Sequence, residues 1–297
     1  MRVVFVLAAA AVWAACGSEK KPDDRAFEAS LDSIHQTTTL NQEMIDGILQ
    51  QIPSPLEISV LLKESGTKFD GSLLNPASNF EKYNSRYKMA LNLGVYGTDL
   101  GYTNIYEQSR AGLDYLSSIR TLADGLSIGQ FFDMQTIARL AGNSKNLDSL
   151  LLLTTKNFNE INAYLEKQGR SYQSVLLLAG GWVEAMHITC QTAAKNPANP
   201  QLMQTVGEQK IILEQIALLL SFYPDDPDIK ALAADLETLK QAYAGVSISH
   251  TYQESSVEVV NGVAMIKDNS TTHVKITPQD FEKIKSATLS IRSKIIG

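Results

Sequence analysis

From Ser30 to Gly245 the apolar residues recur at the three- and four-residue spacing of an α-helix and almost nowhere alternate. A chain patterned this way can bury its apolar stripes only by packing helix on helix. Leu31, Ile34, Thr38, Ile45, Ile48 and Ile52 mark one face of a first helix, which Pro53 and Pro55 end. A shorter helix is expected from Leu56 to Glu64, Gly66 to Ser78 reads as a loop, and a long helical region begins after Asn79. It continues through Ile105, Leu113, Leu116 and Ala123, then over Phe131–Leu140, Leu147–Leu165, Tyr172–Ala194, Gln201–Phe222 and Ile229–Tyr243. Pro224-Asp-Asp-Pro-Asp228 places acids before a helix, where they cap free amides; the glycine of a calcium-binding EF-hand loop is missing.

Near residue 246 the period changes. Val246–Tyr252 alternates, and Asn261-Gly262 lies between two β-branched runs as the preferred type I′ hairpin turn. Thr272–Thr277 adds a candidate strand, and Pro278 opens a last helix carrying Phe281, Ile284, Thr288, Ile291 and Ile295 on one face. The expected fold class is all-α: a multi-helix bundle or α-solenoid-like array over 30–245, a β-hairpin appendage over 246–277, and a C-terminal helix over 278–297 packing on the helical domain.

The N-terminus sets the address. Met1-Arg2 precedes an uncharged run, Val3 to Ala15, which spans about 20 Å as a helix against a hydrocarbon core of roughly 30 Å. It reads as a leader over 1–15. Trp13-Ala14-Ala15-Cys16-Gly17-Ser18 resembles a bacterial lipobox, with Trp13 where an aliphatic residue is usual. That resemblance implies cleavage before Cys16 and acylation of Cys16 with diacylglyceryl and palmitate-type chains. More than one chain gives stable anchoring, since each buried methylene contributes about 0.8 kcal/mol. Residues 16–29 form a polar tether, and no polybasic segment assists binding to anionic lipid. Gly17, where an inner-membrane retention signal would have Asp, implies the outer membrane, on its periplasmic or surface face.

Gly94, Gly97 and Gly101 interrupt the helical run Leu91–Tyr106, each costing about 1 kcal/mol relative to alanine. Their spacing puts them on one stripe. Two readings stay open: a close helix crossing, or a ligand groove lined by Tyr96, Asp99, Tyr102 and Tyr106, with Gly180-Gly181 as its opposite wall.

Familiar reaction centres are missing. The sequence has no phosphate-binding glycine loop, Gly-x-Ser-x-Gly elbow, His-Glu-x-x-His or Cys-x-x-Cys. Glu184-x-x-His187 and Asp32-x-x-His35 have metal-compatible spacing, but nothing selects further ligands, so no metal or cofactor is implied. Cys190, in a helical run, reads as a small buried apolar residue. With 26 basic against 32 acidic side chains, no broad basic surface for nucleic acid is available.

Ile52-Pro-Ser-Pro-Leu-Glu-Ile58, Asn92–Tyr102, Ile128–Phe132, Gly180-Gly-Trp182 and Gly207–Ile211 together resemble a family of helical lipoproteins of Bacteroidetes. The resemblance spans nearly the whole mature chain and implies a helical envelope protein, but that family has no assigned activity and transfers no site residues. Asp32-Ser33-Ile34 and Asp148-Ser149-Leu150 also resemble that phylum's O-glycosylation tripeptide. The expectation is a membrane-anchored lipoprotein that binds an envelope protein partner or ligand, or supports the envelope, without catalysis. The alternative is a ligand- or metal-binding protein or enzyme with a site between the Gly94/Gly97/Gly101 and Gly180/Gly181 helices.

Overall fold

The computed structural model describes residues 42–133, 135, 147–260, 263–267 and 269–297. The chain divides into two compact units, Met1–Asp46 and Gly47–Gly297. Of the first, residues 42–46 are described and are helical. The leader, Cys16, the tether and the Asp32/His35 pair lie outside the described residues, as do Leu140 and the second glycosylation-like tripeptide's side chains.

The second unit is mostly helical, with small antiparallel strand pairs. After helical residues 47–51 come α1 (Pro55–Glu64), α2 (Arg86–Ile105), α3 (Ser109–Gly125), α4 (Leu147–Lys167), α5 (Ser171–Lys195), α6 (Pro200–Ser221), α7 (Pro227–Ala242) and α8 (Pro278–Ile296). Four of these helices open on the same device: a capping residue followed by proline at the first helical position. The pairs are Ser54-Pro55, Asn199-Pro200, Asp226-Pro227 and Thr277-Pro278, and each capping side chain accepts from a first-turn amide. Proline has no amide to leave orphaned there and its fixed φ suits the helix. Asp226 accepts from both Asp228 N and Ile229 N at 3.0 Å, so the acidic run caps α7 as expected.

The long helix begins later than its apolar pattern suggests. Residues 77–82 form a 3-10 turn closed by Tyr83 N on Phe80 O, and the Ser85 hydroxyl then accepts from Lys88 N to start α2. The helical period also hides a break after Ile105, where Glu107 turns at φ 62 and separates α2 from α3.

Strands β1 (Ser247–Thr251) and β4 (Thr271–Lys275) pair, and β2 (Ser256–Val260) and β3 (Val263–Lys267) pair between them in sequence. Val260 lies opposite Val263, which leaves Asn261 and Gly262 as the connection; those two lie outside the described residues. Val274 of β4 occupies the space that a Cβ on Gly207 of α6 would take, so the ribbon's root rests on α6.

The core is built around α5, which is buried on nearly every side and packs against α1, α2, α4, α6 and α8. Its closest partner is α2. Trp182 of α5 donates to Gln209 Oε1 at 2.9 Å, and Tyr243, just past α7, donates to Val206 O at 2.8 Å, so the large side chains of this core have their polar ends satisfied.

Candidate functional site

Helix α2 presents two different faces. At 100° per residue, Asn92, Tyr96, Asp99, Tyr102 and Tyr106 fall on one side and Gly94, Gly97 and Gly101 on the other. The structure therefore separates the residues expected to share one groove. Gly97 and Asp99 are two positions apart, a spacing that points side chains away from each other.

The tyrosine face holds down the loop over 66–84. Tyr96 donates to Pro76 O at 3.0 Å, Tyr102 accepts from Asp70 N at 3.2 Å, and Tyr106 shares a 2.7 Å hydrogen bond with Thr67 Oγ1. Tyr115 of α3 donates to Asn75 O at 3.0 Å. Where the loop turns inward its backbone groups are shielded from water, and the Tyr96, Tyr102 and Tyr115 hydroxyls bond them while Tyr106 bonds the Thr67 side chain. Tyr96, Asp99 and Tyr102 are buried, Tyr106 is half-buried, and none of the four lines the cavity beside Gly97. Burial pushes the Tyr102 hydroxyl up to about 12 and Tyr96 higher still.

Asp99 sits at the centre of a buried charge cluster. Glu184 of α5 is bound by Arg292 of α8 through two hydrogen bonds, Nε to Oε2 at 2.6 Å and Nη2 to Oε1 at 2.7 Å. Arg292 Nη2 also donates to Leu73 O at 2.9 Å. Asp99 Oδ2 accepts from Asn75 N at 3.2 Å, while its Oδ1 has no partner if the carboxyl is ionised. Burial, then the charge of Glu184, pushes Asp99 well above the usual carboxylate range. One guanidinium cannot neutralise two fully buried carboxylates, so Asp99 keeps its proton and donates it to Glu184. Burial also pushes Glu184 upward, but the Arg292 hydrogen bonds pull it back, and Glu184 is the ionised member.

His187, one turn along α5, hydrogen-bonds the Leu73 backbone and is pushed down to about 3, first by burial and then by Arg292. It is neutral. Glu184 and His187 are therefore committed to α8 and to the 66–84 loop, and no group of three or more His, Cys, Asp or Glu able to hold a metal exists among the described residues. Cys190 is buried, unpaired and pushed up to about 12 by that burial. Arg292 has no local sequence signal, since its partner lies 108 positions away. A signal did exist on the other side: Glu184 is the lone acid in the 25 residues of α5.

The glycine face does two things. Gly94 and Gly180 carry the helix crossing: a Cβ on Gly94 would overlap Leu177 O and lie 2.7 Å from Gly181 N, and one on Gly180 would overlap Leu91 O. Here the missing side chains let two backbones touch. Gly97 is different, because a Cβ there would meet nothing within 4 Å. It opens onto a cavity of about 580 Å³, within the usual range for small-molecule sites.

Helix α2 contributes Leu93, Gly97, Leu100, Gly101 and Asn104 to that cavity. Leu49, Ile52 and Pro53 line it from the chain before α1, Phe158 and Ile161 from α4, and Leu177, Leu178 and Gly181 from α5. Thr98 also lines it, with its hydroxyl spent on Gly181 O at 3.0 Å. The one charged residue among the described lining, Glu57, is exposed and accepts from Ser54 N at 3.2 Å as half of the α1 capping box. The arrangement is suited to apolar contact. No known protein family matches the chain, and no curated protein or solved structure is similar to it.

Proposed function

We propose that this chain is a lipid-anchored envelope protein that binds a ligand or partner without transforming it, and that the cavity on the Gly97 face is its binding element. The observation that carries the reading is the cavity itself: about 580 Å³ of apolar-lined space kept open by a helical glycine that no packing contact requires. The charge cluster supports the same reading from the other side, because Glu184, Arg292 and one oxygen of Asp99 are bound to one another's helices and to the 66–84 loop.

In this reading the helices form a bundle around α5, and the anchor is the acylated Cys16 at the end of a polar tether, in the outer membrane. No helix among the described residues is long and apolar enough to cross a membrane. The lipobox-like Ala14-Ala15-Cys16-Gly17 and the resemblance to helical Bacteroidetes lipoproteins support it. Intact-mass analysis of the full chain from native membranes, beside Cys16→Ala, tests the proposal. Wild type is expected to start at Cys16, carry acyl mass and bring down a reproducible bound species. An unacylated wild type, or turnover of that species by the purified protein, would overturn the reading.

A further inference from the structure

The cavity also contains a polar group with nothing to bind. Asn104 lies on the same face of α2 as Gly97, two turns further on, and lines the cavity. It is only 3% exposed, yet neither its Nδ2 nor its Oδ1 has a hydrogen-bond partner. Gly112 of α3 leaves room for this amide: a Cβ there would stand 3.3 Å from Asn104 Oδ1. Burying an amide with both ends unmet is costly, and native proteins rarely do so without a partner that arrives from outside the chain.

From these observations we infer that the cavity takes a neutral, mainly apolar small molecule whose single polar head both donates and accepts a hydrogen bond, as a carboxamide does, and that Asn104 reads that head. The inference rests on the binding function proposed above and names the ligand class. A side-chain amide offers one donor edge and one acceptor edge, so its best complement is a group with the same pair. The walls decide the charge. Among the described residues the lining holds no Lys, Arg or His, so a carboxylate or phosphate head would be desolvated without a counter-ion from them. The single acid, Glu57, is exposed and already accepts from the Ser54 amide, which leaves an ammonium head without a buried partner.

Thermal unfolding of the full chain in a non-ionic detergent, followed by circular dichroism, tests this with four probes below their micellar concentrations: octanamide, octanoate, octyltrimethylammonium and hexylbenzene. Octanamide is expected to raise the midpoint saturably in wild type and not in Gly97→Leu, whose new side chain fills the cavity. Asn104→Leu is expected to weaken octanamide about tenfold or more while leaving hexylbenzene unchanged. Octanoate or octyltrimethylammonium binding as well as octanamide, or Asn104→Leu keeping full octanamide affinity, would overturn the ligand class while a Gly97-dependent shift still upheld the cavity. If no probe shifts wild type relative to Gly97→Leu, the cavity is not a site and the binding function falls with it.

Discussion

The three glycines of α2 should respond to alanine with different signs. At Gly97 the added methyl meets nothing within 4 Å, so the substitution should yield only the helix-propensity gain of about 1 kcal/mol. For a unit of this size that is a rise of about 2–4 °C in the unfolding midpoint. At Gly94 the same methyl would overlap Leu177 O and crowd Gly181 N at 2.7 Å. Both are backbone atoms of a helix that cannot yield locally, so the crossing must widen. Overpacking of this kind costs about 1–3 kcal/mol, which reverses the propensity gain and lowers the midpoint by several degrees. Gly101 falls between, because its Cβ would meet Leu56 Cδ1, the far end of a side chain that can turn aside. Urea and thermal unfolding of the three variants, read at constant m-value, measure the order directly. A Gly97→Ala protein as unstable as Gly94→Ala would refute the division of this stripe into a packed part and an open part.

Other consequences concern the charge cluster. Arg292→Met strands Glu184 and removes a donor from Leu73 O, so a loss of about 3–5 kcal/mol is expected by urea unfolding, with much of it recovered when Glu184→Gln is added. Asp99 is protonated in the folded chain and ionised once unfolded above its ordinary 3.8, so its contribution is present below that value and shrinks as pH rises. Asp99→Asn mimics the protonated form and should remove the decline expected of Asp99 as pH rises above 3.8, read by urea unfolding across pH. His187 acts in the opposite direction: its folded value of about 3 lies below the ordinary 6.5, so acidification through that window removes up to about 1.4 kcal/mol per pH unit. Because Asp99 slopes the other way above 3.8, the His187 limb is read in Asp99→Asn, where a stability profile that stays flat from pH 6.5 downward would contradict its burial as a neutral imidazole. Cys190 should resist a thiol reagent in the native chain and react fully in denaturant; equal rates would mean that α5 is not buried as described.

The elements that declare themselves in sequence are those whose cause is local. Ser54-Pro55, Asp226-Pro227 and Thr277-Pro278 announce their helices through capping chemistry, and the spacing of Ile229, Leu232, Leu236 and Leu239 gives the buried face of α7. Asn261-Gly262 similarly fits the register that sets Val260 opposite Val263. What escaped depends on tertiary partners. The apolar period runs through Tyr106–Gln108 although the chain turns there, because Glu107 at φ 62 carries no glycine or asparagine to mark it. Asp99 and the tyrosines look like a ligand surface until the 66–84 loop, whose backbone they satisfy, is folded against them. Their distance from the glycine stripe was nonetheless legible, since positions two apart on a helix diverge. Asn104 gave no signal at all: only burial without a partner distinguishes it from any other helical asparagine.

The central claim is that the space beside Gly97 is occupied in life. Native mass spectrometry of the full chain extracted from its own membranes, wild type beside Gly97→Leu, with the released species identified, tests it most directly. The account predicts a neutral small molecule held stoichiometrically by wild type and absent from a folded Gly97→Leu. An empty wild type, or the same species retained equally by both, would contradict it.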